Sequence, residues 1–330
     1  MKVAIFSTKP YDKTYLDKRN KTYNHQLTYY EHSLDWTIID LIKGFDAVCV
    51  FVNDHINAAI VQRLSENGIK IIALRCAGFN NVDLKACAKH HIKVVRVPAY
   101  SPESVAEHAM ALILTLNRKT HKAYNRVREG NFSLDHLIGF NLYKRTVGVI
   151  GTGKIGAAFC RVVKGFGCEI VAYDMYPNEA LKEIGVRYVS LDEVYTASDI
   201  ISLHCPLTPE TRHLISATSL SKMKKDVMII NTSRGALIHT QDIIQSLKKS
   251  EVGYLGLDVY EQEEHLFFED LSDTIIEDDT LMRLISFPNV LITSHQAFLT
   301  AEALDSIADT VLGNLTTFER NEELVNEVKA

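Results

Sequence analysis

The sequence contains no hydrophobic run of the roughly 18–20 residues that a membrane-spanning helix requires. Its six cysteines (Cys49, Cys76, Cys87, Cys160, Cys168, Cys205) form no C-x-x-C pair, which argues against a disulfide scaffold or a cysteine zinc site. Reduced structural thiols are expected instead. The thirteen histidines show no H-E-x-x-H spacing, and no metal is expected. Excess positive charge is missing too. With 36 Lys and Arg against 41 Asp and Glu the net charge is −5, and the basic stretches at 18–19, 222–225 and 248–249 are isolated. Neither nucleic acid nor an anionic membrane is an expected partner. The G-x-x-x-x-G-K-[ST] pattern of a P-loop is absent. The opening Met1-Lys2-Val3-Ala4-Ile5-Phe6-Ser7 is too short and too quickly polar for a signal peptide. It reads as a first β-strand of a cytoplasmic protein.

What is present is an ordinary soluble composition: 330 residues, 46% hydrophobic and 23% charged. Single cores stop growing at roughly 250–300 residues, so two domains are expected. Two series of short apolar segments alternate with helical stretches. The first lies at 3–7, 47–52, 69–74 and 94–97, with helices at 58–67 and 84–90. The second lies at 146–150, 169–173, 200–204, 227–231, 254–258 and 290–293. Nearly continuous apolar strands between helices predict parallel sheets covered on both faces, an α/β architecture. Between the series, an apolar stripe through Val105, Ala109, Leu112 and Leu116 predicts one helix from Ser104 to about Arg128. A last helix is expected over 301–317.

The sharpest local signal is Thr146-Val147-Gly148-Val149-Ile150-Gly151-Thr152-Gly153-Lys154-Ile155-Gly156. Here G-x-G-x-x-G follows a strand and opens a helical stretch, and Asp174 closes the next strand 18 residues beyond Gly156. Gly151 allows the tight turn, Gly153 lets a pyrophosphate approach, and Gly156 lets helix and strand pack closely. The helix N-terminus attracts the phosphate charge. Asp174 can accept hydrogen bonds from both adenosine ribose hydroxyls and would repel a 2′-phosphate, so NAD is expected rather than NADP. A ligand-free glycine turn is the bland alternative, against which the complete strand–loop–helix–strand–acid context weighs.

Three further signatures follow in order: Asn231-Thr232-Ser233-Arg234-Gly235, Leu257-Asp258-Val259-Tyr260-Glu261-Gln262-Glu263, and Ser294-His295-Gln296-Ala297. With Pro98-Ala99-Tyr100-Ser101-Pro102, Val105-Ala106-Glu107-His108-Ala109 and the loop from Arg75 to Asp83, they resemble the D-2-hydroxyacid dehydrogenase family over nearly the whole chain. That resemblance implies two Rossmann-like domains: a flavodoxin-like substrate domain (1–100 plus 299–330) and a doubly wound NAD-binding domain (101–298). The reaction would lie in a cleft between them.

It also implies a catalytic set of Arg234, Glu263 and His295. Reducing a 2-keto acid requires a hydride to the keto carbon and a proton to the keto oxygen. An imidazole titrates closest to neutral pH, which suits His295 as proton donor. Glu263 would orient the ring and favour its charged form, and Arg234 offers a planar fork to the substrate carboxylate. Taken singly, an Arg after a strand is often surface and a lone His often a core donor; Glu261 and Glu264 are near alternatives within an acidic stretch. Glu263 is chosen because the family's glutamate falls five residues past the aspartate matched by Asp258. By the same resemblance Cys205, Pro206, Thr232, Ser233 and Asp258 line the cofactor with Gly151, Gly153, Lys154, Ile155, Gly156 and Asp174. Ala77 and Gly78 would offer backbone N–H groups to the substrate carboxylate.

Ser294, where most members have proline, and Gln296 to Thr300 are similar to the D-lactate dehydrogenase branch, as is the 266–270 segment. The aromatics matched to that branch's substrate pocket are Phe51, Tyr100 and Phe298, which leave room for a methyl group and favour pyruvate; interdomain core is their plainer role. Sister enzymes for bulkier 2-keto acids (hydroxyisocaproate or glycerate type) are the nearest alternative, and a dinucleotide-sensing corepressor is a remoter one. The helix after Ser104 resembles the family's dimerisation element, so a homodimer or a dimer of dimers is expected.

Overall fold

Unbroken aliphatic runs form the central strands of two parallel sheets in the computed structural model, which describes residues 1–263 and 266–330. The chain divides into one unit of Met1–Ser101 with Phe298–Ala330 and another of Pro102–Ala297.

The first unit holds β1 (Lys2–Ile5), β2 (Gln26–Tyr29), β3 (Ala47–Val50), β4 (Ile71–Leu74) and β5 (Lys93–Val95), all parallel, in the order β2-β1-β3-β4-β5. This is the flavodoxin-like order, with its switch point between β1 and β3. Every residue of β3 and β4 is buried, which is why these strands read as solid apolar runs. The edge strand β2 escaped the sequence pattern because Gln26-Leu27-Thr28-Tyr29 is only half-buried on alternate residues. Helix Ala301–Glu319 brings the chain back to this unit and packs on helix Pro10–Tyr23, where Lys18 and Arg19 pair with Asp305.

The second unit holds β6 (Thr146–Ile150), β7 (Glu169–Tyr173), β8 (Arg187–Tyr188), β9 (Ile200–Leu203), β10 (Val227–Asn231), β11 (Val252–Leu257) and β12 (Val290–Ile292). Their order, β12-β11-β10-β9-β6-β7-β8, is the doubly wound one extended by a strand, and every pairing is parallel. Strand residues alternate between two cores. Val147, Val149, Ile170 and Ile230 pack with Leu112 and Leu116 of helix Pro102–Arg118 and Phe159 of helix Lys154–Gly165. Ile201, Leu203, Ile229 and Leu255 pack on the other face with Ile243 and Leu247 of helix Thr240–Lys248.

The single long helix expected after Ser104 is two. Pro102–Arg118 ends at Lys119, which has φ +52, and Thr120–Arg128 sets off anew. The apolar stripe that holds the first helix to the sheet stops at Leu116, and the second helix buries no residue. No buried apolar stripe therefore keeps it on the same line. Among the described residues no helix is long and apolar enough to cross a membrane.

Candidate active site

The reversal of strand order in the second unit falls between β6 and β9, and the glycine loop sits there. Gly151 has φ +93, and a Cβ on it would stand 2.5 Å from the Cys205 amide nitrogen; one on Gly156 would stand 2.0 Å from the Gly151 carbonyl oxygen. Only glycine lets loop, helix and neighbouring strand meet this closely. Space is open around Gly153, the residue before helix Lys154–Gly165. Asp174 is fixed by three contacts. One oxygen accepts the Thr152 amide at 2.5 Å and the Thr152 hydroxyl at 3.0 Å, and the other accepts the Tyr176 amide at 2.9 Å. Tyr188 donates to Thr152 in turn, at 2.9 Å. Motif reading passed over Thr152 and Tyr188 because neither belongs to the glycine pattern.

The loops after β9 and β10 complete this face. Ser233 donates to the Cys205 carbonyl at 2.7 Å, and burial pushes the Cys205 thiol up to about 11, so it stays protonated. The Thr232 hydroxyl is buried without a protein partner among the described residues. An orphaned hydroxyl, an open glycine and a twelve-residue helix aimed at the gap fit a dinucleotide. His204 lies beneath the loop, its ring 4.8 Å from that of Phe159 and its Nε2 2.9 Å from the Ser202 hydroxyl. Its Nδ1 is shielded from solvent and has no partner among the described residues, and burial pushes its pKa down to about 3.

At the end of β10, buried Asn231 shapes the turn that carries Arg234. Its side chain accepts the Ser233 amide at 3.0 Å and donates to the Arg234 carbonyl at 2.8 Å. A Cβ on Gly235 would strike the Tyr260 backbone at 2.1 Å, so this turn lies directly against the segment that carries Glu263. Glu263 spans two groups: one oxygen accepts the Tyr260 amide at 2.9 Å, and the other lies 2.8 Å from His295 Nδ1. Glu261 turns elsewhere, to His213 Nε2 at 2.6 Å and the Thr240 hydroxyl at 2.8 Å. Glu264 lies outside the described residues.

His295 itself adopts φ +48, an uncommon conformation for a non-glycine residue. Asp258, fully buried, is its support. Burial alone would raise this carboxyl, but hydrogen bonds from His108, Thr293 and the Ala297 amide outweigh it and hold the pKa below the ordinary value. The single proton of the Thr293 hydroxyl goes to Asp258, so His108 Nε2, 3.0 Å from that hydroxyl, is a donor. The role of His108 was missed because its contact spans 150 residues of sequence. Among the described residues, no group of three or more His, Cys, Asp or Glu is placed to hold a metal.

In the first unit, Phe51 and Phe298 have ring centroids 5.9 Å apart, and Tyr100 and Phe298 meet edge-on at 6.2 Å. Phe51 lies just past β3 at the switch point, and the Arg75 guanidinium lies over its ring, 5.3 Å from the centroid. The loop with Ala77 and Gly78 follows β4.

The glycine loop, the acid after β7 and the doubly wound order define a nicotinamide-dinucleotide dehydrogenase domain. Residues 110–297 match the D-isomer specific 2-hydroxyacid dehydrogenase, NAD binding domain, family. The chain belongs to this family and uses NAD. It is 52% identical to the D-lactate dehydrogenase of Escherichia coli over 328 residues, covering 99% of this chain and 100% of that one. A 2-hydroxyacid dehydrogenase homolog of Haemophilus influenzae is 55% identical over 315 residues, 96% of this chain and 95% of the other. The solved pyruvate reductase of Chlamydomonas reinhardtii superposes with a TM-score of 0.94 at 46% identity, over 99% of this chain and 98% of that one.

Proposed function

We propose that this chain reversibly reduces pyruvate to D-lactate. The carrying observation is the His295–Glu263 pair at 2.8 Å, which commits Nδ1 and leaves Nε2 as the nitrogen that moves a proton. Bound NADH supplies the hydride. The glycine loop with Lys154 and Ile155, Asp174, Cys205, Pro206, Thr232 and Ser233 hold the cofactor, and Asp258 keeps the His295 turn in register beside it. Arg234 pairs with the substrate carboxylate and polarises the keto group. His295 delivers the proton to the keto oxygen in reduction and takes it back in oxidation. Ala77 and Gly78 bind the carboxylate through their backbone N–H groups, and Phe51, Tyr100 and Phe298 close around the methyl group. The named activities of the Escherichia coli and Chlamydomonas relatives, one for each direction, support this substrate.

Loss of NADH absorbance over a panel of 2-keto acids, with chiral analysis of the product, tests the reading. Pyruvate should lead the panel and D-lactate should be the sole enantiomer. A preference for a branched acid would assign a sister activity. His295→Gln should lose about 10²–10⁴-fold in kcat, the worth of a general acid, while still binding NADH. Glu263→Gln should slow turnover far more than Glu261→Gln.

The assembly we infer is a homodimer, or a dimer of dimers, in the cytoplasm. Tyr124, Phe132, Leu134 and Ile138 are between 61% and 85% exposed on one segment after helix Pro102–Arg118, an apolar surface suited to a second copy. Light scattering on the eluting protein measures it directly, with a monomer as the contrary result.

A further inference from the structure

Arg96 stands immediately after β5, and both of its backbone groups are pinned. Its N–H donates to the Asn326 carbonyl at 3.2 Å, and its C=O accepts the Asn314 side chain at 3.1 Å. Asn326 and Asn314 are themselves joined at 2.9 Å. The guanidinium then lies over the Phe79 ring, 5.1 Å from its centroid, and Nη1 donates to the Ala77 carbonyl at 2.7 Å. A half-buried arginine held this firmly usually serves a carboxylate. Here, among the described residues, none pairs with it.

The bond to Ala77 fixes more than a carbonyl. No peptide bond is cis among the described residues, so the N–H of each peptide points opposite its C=O. With the Ala77 carbonyl drawn to the guanidinium, the Gly78 N–H is aimed directly away from it. The Val97 amide holds the Cys76 carbonyl at 3.2 Å and sets the Ala77 N–H in the same manner. Neither N–H has a protein acceptor among the described residues. Two consecutive N–H groups held in this way and without acceptors among the described residues are donors available to an anion. A cation on the carbonyl also polarises its peptide and strengthens the N–H on the far side.

We propose that Arg96 is a positioning residue that aims and polarises the Ala77–Gly78 peptide, so that the Gly78 N–H grips the substrate carboxylate. This rests on the reading of that loop given under Proposed function. Arginine suits the task better than lysine because its planar guanidinium can lie over Phe79 and still donate from Nη1 to the Ala77 carbonyl.

The test compares wild type with Arg96→Met and Arg96→Lys. Pyruvate KM and kcat, inhibition by oxamate, and NADH affinity by fluorescence are measured for each. Arg96→Met should raise both the pyruvate KM and the oxamate Kd about tenfold or more, with kcat changed less than about threefold and NADH binding less than about twofold. Arg96→Lys should recover part of the loss. The preference for pyruvate over pyruvamide, which lacks the carboxylate, should shrink in Arg96→Met. Should that variant not fold, Arg96→Gln serves in its place with the same expected direction. Unchanged oxamate affinity, or equal losses for oxamate and NADH, would overturn the role of Arg96 and leave the reaction standing. A wild type that reduces no 2-keto acid would overturn the parent reading and this one with it.

Discussion

The His295 amide donates to the Asp258 carbonyl at 2.7 Å, and the Asp258 carboxylate accepts the next two amides, of Gln296 and Ala297, both at 2.9 Å. One buried residue thus wraps the turn that holds the histidine at positive φ. Asp258→Asn places an NH₂ group against at least one of these donors. An unsatisfied buried donor costs about 1–3 kcal/mol, and 1.4 kcal/mol is tenfold in rate if the histidine shifts. We expect kcat to fall by at least about tenfold and the thermal midpoint by about 2–4 °C for each kcal/mol lost. Steady-state kinetics and calorimetry read the two effects separately. A lower midpoint with wild-type kcat would make Asp258 purely structural.

Cofactor choice should depend on Asp174. Its carboxylate is already oriented by Thr152, and a 2′-phosphate would meet its charge. NADH should be preferred over NADPH by about tenfold or more in kcat/KM, equivalent to about 1.4 kcal/mol. Asp174→Ala should narrow the gap, mainly by weakening NADH. Equal use of both cofactors by the wild type would remove Asp174 from this role.

Substrate size should follow the aromatic set. Phe298 touches both Phe51 and Tyr100, so its removal opens the most space. Phe298→Ala should raise the kcat/KM ratio of 2-ketoisocaproate to pyruvate about tenfold, since each buried CH₂ accommodated is worth about 0.8 kcal/mol. An unchanged ratio would return the three rings to ordinary core packing.

Periodicity made both parallel sheets legible, because their central strands are buried on both faces and contain almost nothing polar. Motif order likewise brought out His295 and Glu263, which prove to be in direct contact. The strands that went unseen, β2 and β8, lie at sheet edges and carry no apolar run. The long helix was overextended because the pattern through Leu116 gives no warning of the left-handed Lys119. Residues that act through a distant partner were invisible for a similar reason. His108 meets Asp258, Tyr188 meets Thr152 and Arg96 meets Ala77 only once the chain has folded.

Stability of the second unit should carry a signature of His204. Its pKa is pushed down to about 3 from an ordinary 6.5 because its ring nitrogens are buried. As pH falls below 6.5 the unfolded chain takes up a proton at this position, whereas the folded unit does not until about pH 3. The unfolded state therefore binds more protons across that window, and stability rises with pH through it. The contribution is complete above 6.5 and is lost progressively toward 3. His204→Gln keeps the bond to Ser202 and removes the titration. Urea midpoints measured from pH 4.5 to 7.5 should accordingly climb less steeply in the variant, with the two curves differing in slope only below about 6.5. The depressed carboxyl of Asp258 does not obscure this, since it titrates below its ordinary 3.8 in both proteins. Parallel curves across the whole range would show that His204 is charged in the folded state or solvated as freely as in the unfolded chain.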